Sequence, residues 1–86
     1  MIKTFEELFE KMKAKEMKWI PFYTQYENYL YWAVETERTS GSIKSTAHSI
    51  RNKHAEYIIG YLACLHDIGY IDEYEQGQLV GLLNTI

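Results

Sequence analysis

The stretch HAEYIIGYLACLHDIGYID, residues 54–72, decides how the chain folds, because it contains both a long apolar helix and the end of that helix. Apolar side chains recur three and four residues apart within it, which is the spacing of one buried helix face. Gly69 then stands where a helix commonly stops, with the apolar Tyr70 after it. Asp72 follows as a typical N-cap residue. The stretch therefore predicts a helix that runs to Ile68, a tight stop and a second helix.

The predicted helix extends far upstream of this stretch. The sequence RTSGS, residues 38–42, is typical of a loop, so the helix should begin at Ser42 or Ser45. The residues that share its apolar face are Ile43, Ala47, Ile50, His54, Tyr57, Ile58, Tyr61 and Leu65. The helix after the stop has its own stripe of Leu79, Leu82, Leu83 and Ile86. Short connections of this kind favour helices that pack as neighbours.

The first helix has the clearest local signature. Thr4 and Glu7 are spaced as a capping box, in which each residue satisfies a hydrogen-bonding group of the other. The apolar residues that follow at helical spacing are Phe5, Leu8, Phe9 and Met12. Glu7 and Lys11 are also placed as a favourable ion pair on one face. The helix should end between Glu16 and Lys18.

Pro21 separates the first helix from the second, because proline suits the first turn of a new helix. The second helix is predicted over residues 21–37, with a stripe of Phe22, Tyr26, Tyr29, Leu30 and Ala33. Residues 29–34, YLYWAV, have a second interpretation, since aromatic residues also favour strands. That run does not alternate polar with apolar residues, so we favour the helix.

The fold class that results is all-α, a small bundle of about four helices with short connections. Eighty-six residues form one domain, residues 1–86, with a modest core. Chains of this size often bury further apolar surface by forming oligomers.

Three histidines raise the question of a metal site. His54 followed by the adjacent His66 and Asp67 is similar to the metal-binding signature of the HD phosphohydrolases, and the resemblance implies a metal-dependent hydrolase. On a single helix, twelve residues separate His54 from His66 by about 18 Å, whereas a zinc–nitrogen bond is about 2 Å. We therefore predict no catalytic residue, no metal and no cofactor, and keep the HD-like hydrolase as a remote alternative. His54 is expected to be a hydrogen-bonded histidine in the core or at its boundary. His66 is expected in the last turn of the helix, where its protonated form would meet the negative end of the helix dipole. The roles of His48, His54 and His66 stay open.

The composition also bears on the compartment. The single cysteine, Cys64, can form no internal disulfide, and its apolar surroundings predict a buried, reduced thiol. No apolar run approaches the roughly 20 residues that cross a bilayer. The N-terminal segment is charged and amphipathic, unlike a signal peptide. We therefore expect a cytoplasmic protein with no membrane partner.

The charges are segregated along the chain, within a net charge of −3. Residues 38–55 contain bases and no acid, whereas residues 56–86 contain acids and no base. The bases are Arg38, Lys44, Arg51 and Lys53, and they predict binding of an anionic partner or a nucleic acid. Residues 57–71 loosely resemble the recognition-helix-to-strand passage of winged-helix regulators, which implies DNA binding. The net negative charge argues against this alternative, and the opposite blocks also suit contact between two copies of the chain.

Two aromatic residues outside the stripe of the second helix indicate an interface. Tyr31 and Trp32 fall off that stripe beside Glu35, and an exposed tryptophan is typical of protein-binding surfaces. The alternative places Trp32 in the core of a central helix. Our main hypothesis is a non-enzymatic helical interaction protein that binds a protein partner or forms a homodimer. Such a protein would act as a regulator or inhibitor of the type that phages and mobile elements encode.

Overall fold

A computed structural model describes residues 1–84, and it confirms the prediction of an all-α bundle, with four helices and no strand in that part of the chain. The helices are α1 (Phe5–Ala14), α2 (Ile20–Arg38), α3 (Gly41–Asp67) and α4 (Glu73–Asn84). Helix α3 has 27 residues, or about 40 Å at 1.5 Å per residue. It therefore accounts for the longest dimension of the molecule, 42 Å.

Helices α2 and α3 form an antiparallel hairpin around the short connection at residues 39–40. Near the base of the hairpin, the rings of Phe22 and Tyr61 stack with their centroids 4.2 Å apart. Halfway along it, His54 Nδ1 lies 2.6 Å from the Gln25 side-chain oxygen. This contact confirms the prediction that His54 is a hydrogen-bonded histidine in the core or at its boundary.

The main core lies at the base of the hairpin, where α1 and α4 pack. The predicted stripe of α1 is buried, and the Phe9 ring meets Phe22 edge to face with centroids 5.2 Å apart. Helix α4 contributes the buried Leu79 and Leu83. The buried Tyr29 joins α2 to α4, because its hydroxyl donates a hydrogen bond to the Leu83 carbonyl.

Helix α3 stops by the predicted mechanism. Gly69 adopts a left-handed conformation with φ 77°, and its N–H donates to the His66 carbonyl at 2.9 Å. The Tyr70 N–H donates to the Leu65 carbonyl, also at 2.9 Å. These two bonds form a Schellman motif, which satisfies carbonyls that the helix end leaves without a partner.

Helix α1 stops in the same way, although the sequence has no glycine there. Glu16 takes φ 57°, and its N–H donates to the Lys13 carbonyl at 3.0 Å. The Met17 N–H donates to the Met12 carbonyl at 3.0 Å, which completes a second Schellman motif. The helix thus ends at Ala14, before the expected end between residues 16 and 18.

Asp72 caps α4 as predicted, in a reciprocal pair with Glu75. The Glu75 N–H donates to the Asp72 carboxylate at 2.7 Å, and the Asp72 N–H donates to Glu75 Oε1 at 3.0 Å. The second oxygen of Glu75 accepts the Ile2 N–H at 2.7 Å. These backbone hydrogen bonds, first from Asp72 and then from Ile2, lower the pKa of the Glu75 carboxyl. Glu75 therefore joins the segment before α1 to the start of α4.

Several local predictions for α1 and α2 are settled by the structure. Residues 29–34 are helical, so the strand interpretation was wrong. Helix α2 begins at Ile20, one residue earlier than predicted, and Pro21 occupies its first turn. The ion pair predicted between Glu7 and Lys11 does not form. Lys11 Nζ instead donates to the Tyr70 carbonyl at 3.3 Å and lies over the Tyr70 ring.

The apolar face of α3 was predicted less well. Ile43 and Tyr57 are 67% and 46% exposed, although both belong to the predicted apolar face. Leu62 is buried, although it does not belong to that face. Cys64 is exposed, so the prediction of a buried thiol was wrong. Ile43 is exposed because α3 extends beyond the helices that cover it. In the covered part, the buried face of α3 is that of Ile58, Leu62 and Leu65, which is rotated from the predicted face and leaves Tyr57 and Cys64 outside. Ile86, predicted in the stripe of α4, lies outside the described residues.

Candidate protein interface

The outer part of the hairpin, residues 31–53, differs from its base, and we call this part the arm. Its buried side chains are the small Ala33, Thr36 and Ala47, which let the two helices approach closely. Among the described residues, the main core contains no residue of the arm. The arm is therefore a two-helix projection that α1 and α4 leave largely uncovered.

One side of the arm carries an apolar groove of about 310 Å³. Its lining residues are Trp32, Glu35 and Thr39 from α2, with Ser42, Ile43, Thr46, Ala47 and Ile50 from α3. They recur three and four residues apart on each helix, so they face the same side. The groove is accordingly a valley between two rows of side chains, and apolar groups and hydroxyls both line it.

The structure brings together the three residues predicted to form a protein interface. Tyr31 is 57% exposed, and its ring meets that of the partly buried Trp32 edge to face, with centroids 5.1 Å apart. Glu35 lies one turn further along α2 and forms an ion pair with Arg38 at 3.4 Å. Trp32 is partly buried and lines the groove, and it lies outside the main core. Its contact with a partner stays a prediction.

The four predicted anion-binding residues do not share one face. Arg38 is engaged with Glu35, and Arg51 hydrogen-bonds the Asn52 side-chain oxygen at 3.1 Å. Lys44 and Arg51 are seven residues apart on α3 and lie on one side of it. Lys53 follows Arg51 by two residues, a spacing that directs side chains away from each other on a helix. Nucleic-acid binding stays a prediction, which the dependence of affinity on salt would test.

The histidines lie apart along the molecule. His54 is engaged with Gln25, whereas His66 Nδ1 lies 3.7 Å from the carboxylate of the exposed Asp67 in the last turn of α3. His48 is exposed in the arm. Within residues 1–84, no three His, Cys, Asp or Glu side chains come close enough to hold one metal ion.

Several lining residues of the groove were not identified from the sequence as functional. Ile43 was assigned to the apolar face of the helix, Thr39 was placed in the loop at residues 38–42, Ser42 was considered only as a possible helix start, and Thr46 was given no role. The length of the predicted third helix, compared with that of its neighbours, could have indicated that these residues are exposed. A helix of 27 residues cannot be covered along its whole length by neighbours of 10 and 12 residues.

Comparisons of the chain with protein-family models, with curated proteins and with solved structures each found no match. In the part of the chain that the structure describes, no helix has the length and apolar character needed to cross a membrane.

Proposed function

We propose that this protein is a non-enzymatic helical interaction module that self-associates through the arm. The observation that carries the proposal is the exposed apolar surface around the groove, where Ile43 is 67% and Tyr31 57% exposed beside Trp32. Exposed apolar clusters on small proteins commonly mark protein interfaces. Tyrosine and tryptophan are also the residue types that contribute most to such interfaces.

A second copy of the chain is the occupant that best fits the arm. In a two-fold dimer the same patch meets itself, so the patch must contain both projecting and receiving elements. The arm has both, because Tyr31 projects beside a groove that Ile43 and Ile50 line. Opposite charges also lie on the groove side of the two helices. Glu35 on α2 forms an exposed ion pair with Arg38, which a partner's cation could replace, and Lys53 on α3 follows Thr46 by seven residues and so lies on the same side.

The size of the arm limits the strength of this association. The groove side spans about 18 Å along α3 and about 20 Å across two helices, or roughly 400 Å² per copy. A stable interface commonly buries about 800 Å² per partner. The expected dimer is therefore weak and forms only as the protein concentration rises.

Sedimentation equilibrium over a concentration series tests the proposal. The average mass should rise from that of one chain toward that of two. Trp32→Ala and Ile43→Ser should both weaken association. A hot-spot tryptophan contributes about 2 kcal/mol, so Trp32→Ala should raise the dissociation constant of the dimer roughly 30-fold or more. Circular dichroism should show that both variants keep the helical content of the unaltered protein.

Ile68→Ser is the matched control, because Ile68 is 70% exposed at the other end of α3. It removes the same apolar side chain without touching the arm and should leave association unchanged. A chain that stays monomeric at about 1 mM would remove the proposal, as would equal effects of Ile43→Ser and Ile68→Ser. Melting of the monomer by Trp32→Ala would instead show that Trp32 stabilises the monomer by packing between α2 and α3.

A further inference from the structure

A second groove, which is independent of the arm, lies between α1 and α2 and has a volume of about 360 Å³. Its lining residues are Glu6, Phe9, Glu10 and Lys13 from α1, with Trp19, Tyr23, Tyr26, Glu27 and Leu30 from α2 and the residue before it. A volume above about 300 Å³ is in the range of sites that bind small ligands or single side chains. The groove is thus large enough for one extended side chain.

The floor of this groove is aromatic and firmly packed. The Phe9 and Tyr23 rings meet edge to face with centroids 5.2 Å apart, and Trp19 meets Tyr23 at 5.5 Å. Tyr26 lies against Phe5 at 4.6 Å, in a stacked arrangement. Aromatic faces carry negative electrostatic potential, and rings that brace one another present those faces in fixed positions.

The rim of the groove is acidic. The carboxylates of Glu6, Glu10 and Glu27 are exposed there, against the single ammonium of Lys13 among the lining residues. The Tyr26 hydroxyl donates to Glu6 at 3.5 Å. Burial, together with the neighbouring Glu6 carboxylate, raises the pKa of Tyr26 to about 12, so the phenol stays neutral at physiological pH. The negative charge of the groove therefore comes from the three carboxylates.

One cation of the chain already lies in this groove. Lys13 Nζ is 4.4 Å from the centre of the Trp19 ring and 3.2 Å from a Glu10 carboxylate oxygen. Both contacts favour positive charge, one through the ring face and the other through an ion pair. The Lys13 side chain is still 43% exposed, so it covers the groove only in part.

From this arrangement we propose that the α1–α2 groove binds an arginine side chain of a basic segment in a partner protein, in the place that Lys13 now occupies. A guanidinium is planar, so it stacks on an aromatic ring while it pairs with a carboxylate, which an ammonium does less well. Glu6 and Glu10 stand one helical turn apart, about 6 Å. They suit a segment with two arginines at a similar separation.

The test uses a short peptide of alternating arginine and glycine, with an alanine-for-arginine peptide as its control. Two-dimensional NMR follows the Trp19 indole N–H during titration of the full chain. The arginine peptide should shift this signal and the amides of the groove, whereas the alanine peptide should not. Glu10→Gln combined with Glu27→Gln should weaken binding, and Glu73→Gln, an exposed acid in α4, should change it much less.

The decisive comparison is between two lysine variants of equal charge. Lys13→Ala vacates the Trp19 ring and should tighten peptide binding roughly 2- to 5-fold, the range of one exposed cation–π contact. Lys15→Ala removes the same charge from an exposed position that does not line the groove, and should change binding much less. Both positions are exposed, so neither variant endangers the fold.

Three results would overturn the proposal. The first is that no groove signal shifts with peptide up to about 1 mM, a concentration that reveals even weak binding. The second is that Lys13→Ala and Lys15→Ala act equally, which would mean attraction by bulk charge only. The third is that the same signals shift when the protein alone is concentrated, which would make a second copy the occupant.

Discussion

Replacement of Glu75 by alanine should destabilise the fold more than any other single change to an acidic residue. The Glu75 carboxylate is 8% exposed and accepts the N–H groups of Asp72 and Ile2. Without it, two backbone donors lose their partners, at about 1–3 kcal/mol each. The lower half of that range applies because the Asp72 bond is only partly buried. We therefore expect the free energy of unfolding to fall by roughly 3 kcal/mol, and the midpoint temperature by roughly 15 °C.

The effect of Glu75 should also depend on pH. Its folded-state pKa lies below the ordinary value of 4.5, so its ionised form stabilises the fold above that pH. As the pH falls from 4.5 through the lower folded-state pKa, protonation removes this stabilisation. The stability difference between the unaltered chain and Glu75→Ala should therefore narrow in that range.

Urea unfolding followed by circular dichroism, at pH 7 and at pH 3, measures both effects. Glu73→Ala is the control, because Glu73 lies in the same first turn of α4 but is exposed. It should cost less than about 1 kcal/mol, the usual contribution of an acid near a helix N-terminus. If Glu75→Ala lowers the free energy of unfolding by less than about 0.5 kcal/mol, the change is no larger than that of an ordinary surface substitution. That result would refute the role given to this carboxylate.

Three further predictions concern stability and reactivity. Tyr29→Phe keeps the buried ring but leaves the Leu83 carbonyl without its donor, so it should lower the free energy of unfolding by about 1 kcal/mol; no change in urea midpoint would contradict this. Glu16→Gly should stabilise the fold by about 1 kcal/mol and Gly69→Ala should destabilise it similarly, since both positions have positive φ. Midpoint temperatures that move in the same direction for both variants would refute this reasoning. Cys64 is exposed and should react with a thiol reagent in the folded protein; protection until urea is added would show that it is buried.

The stop of α3 could be predicted because its signal is local, whereas the stop of α1 could not. Gly69 is the residue type that adopts a left-handed conformation without steric cost, so the sequence itself marks the end. At α1 the same conformation falls on Glu16, and packing of Met17 against the core accompanies it. Tertiary contact there overrides local preference, and no sequence pattern records it.

The candidate interface could be predicted only in part, for a similar reason. Tyr31, Trp32 and Glu35 were identified because they leave the apolar stripe of α2. Ile43 was assigned to the core because its spacing matches that of buried residues. Periodicity indicates which side of a helix is apolar, but not how far along the helix a neighbour covers it. Ile43 is exposed because the helices that cover α3 do not extend as far as its first turn.

The small side chains inside the arm also determine the order in which the molecule opens. Ala33 and Ala47 bury little apolar area, whereas Tyr29 and Phe22 at the base bury large rings. Local unfolding begins where least area is lost, so the tip of the hairpin separates at lower free energy than the base. Amide hydrogens of the arm should therefore exchange with solvent through partial openings, and those of the base only through complete unfolding. A ligand on the arm is released by either kind of opening, so it would slow exchange in the arm and at the base alike, whereas a ligand held only by the base would slow exchange at the base alone.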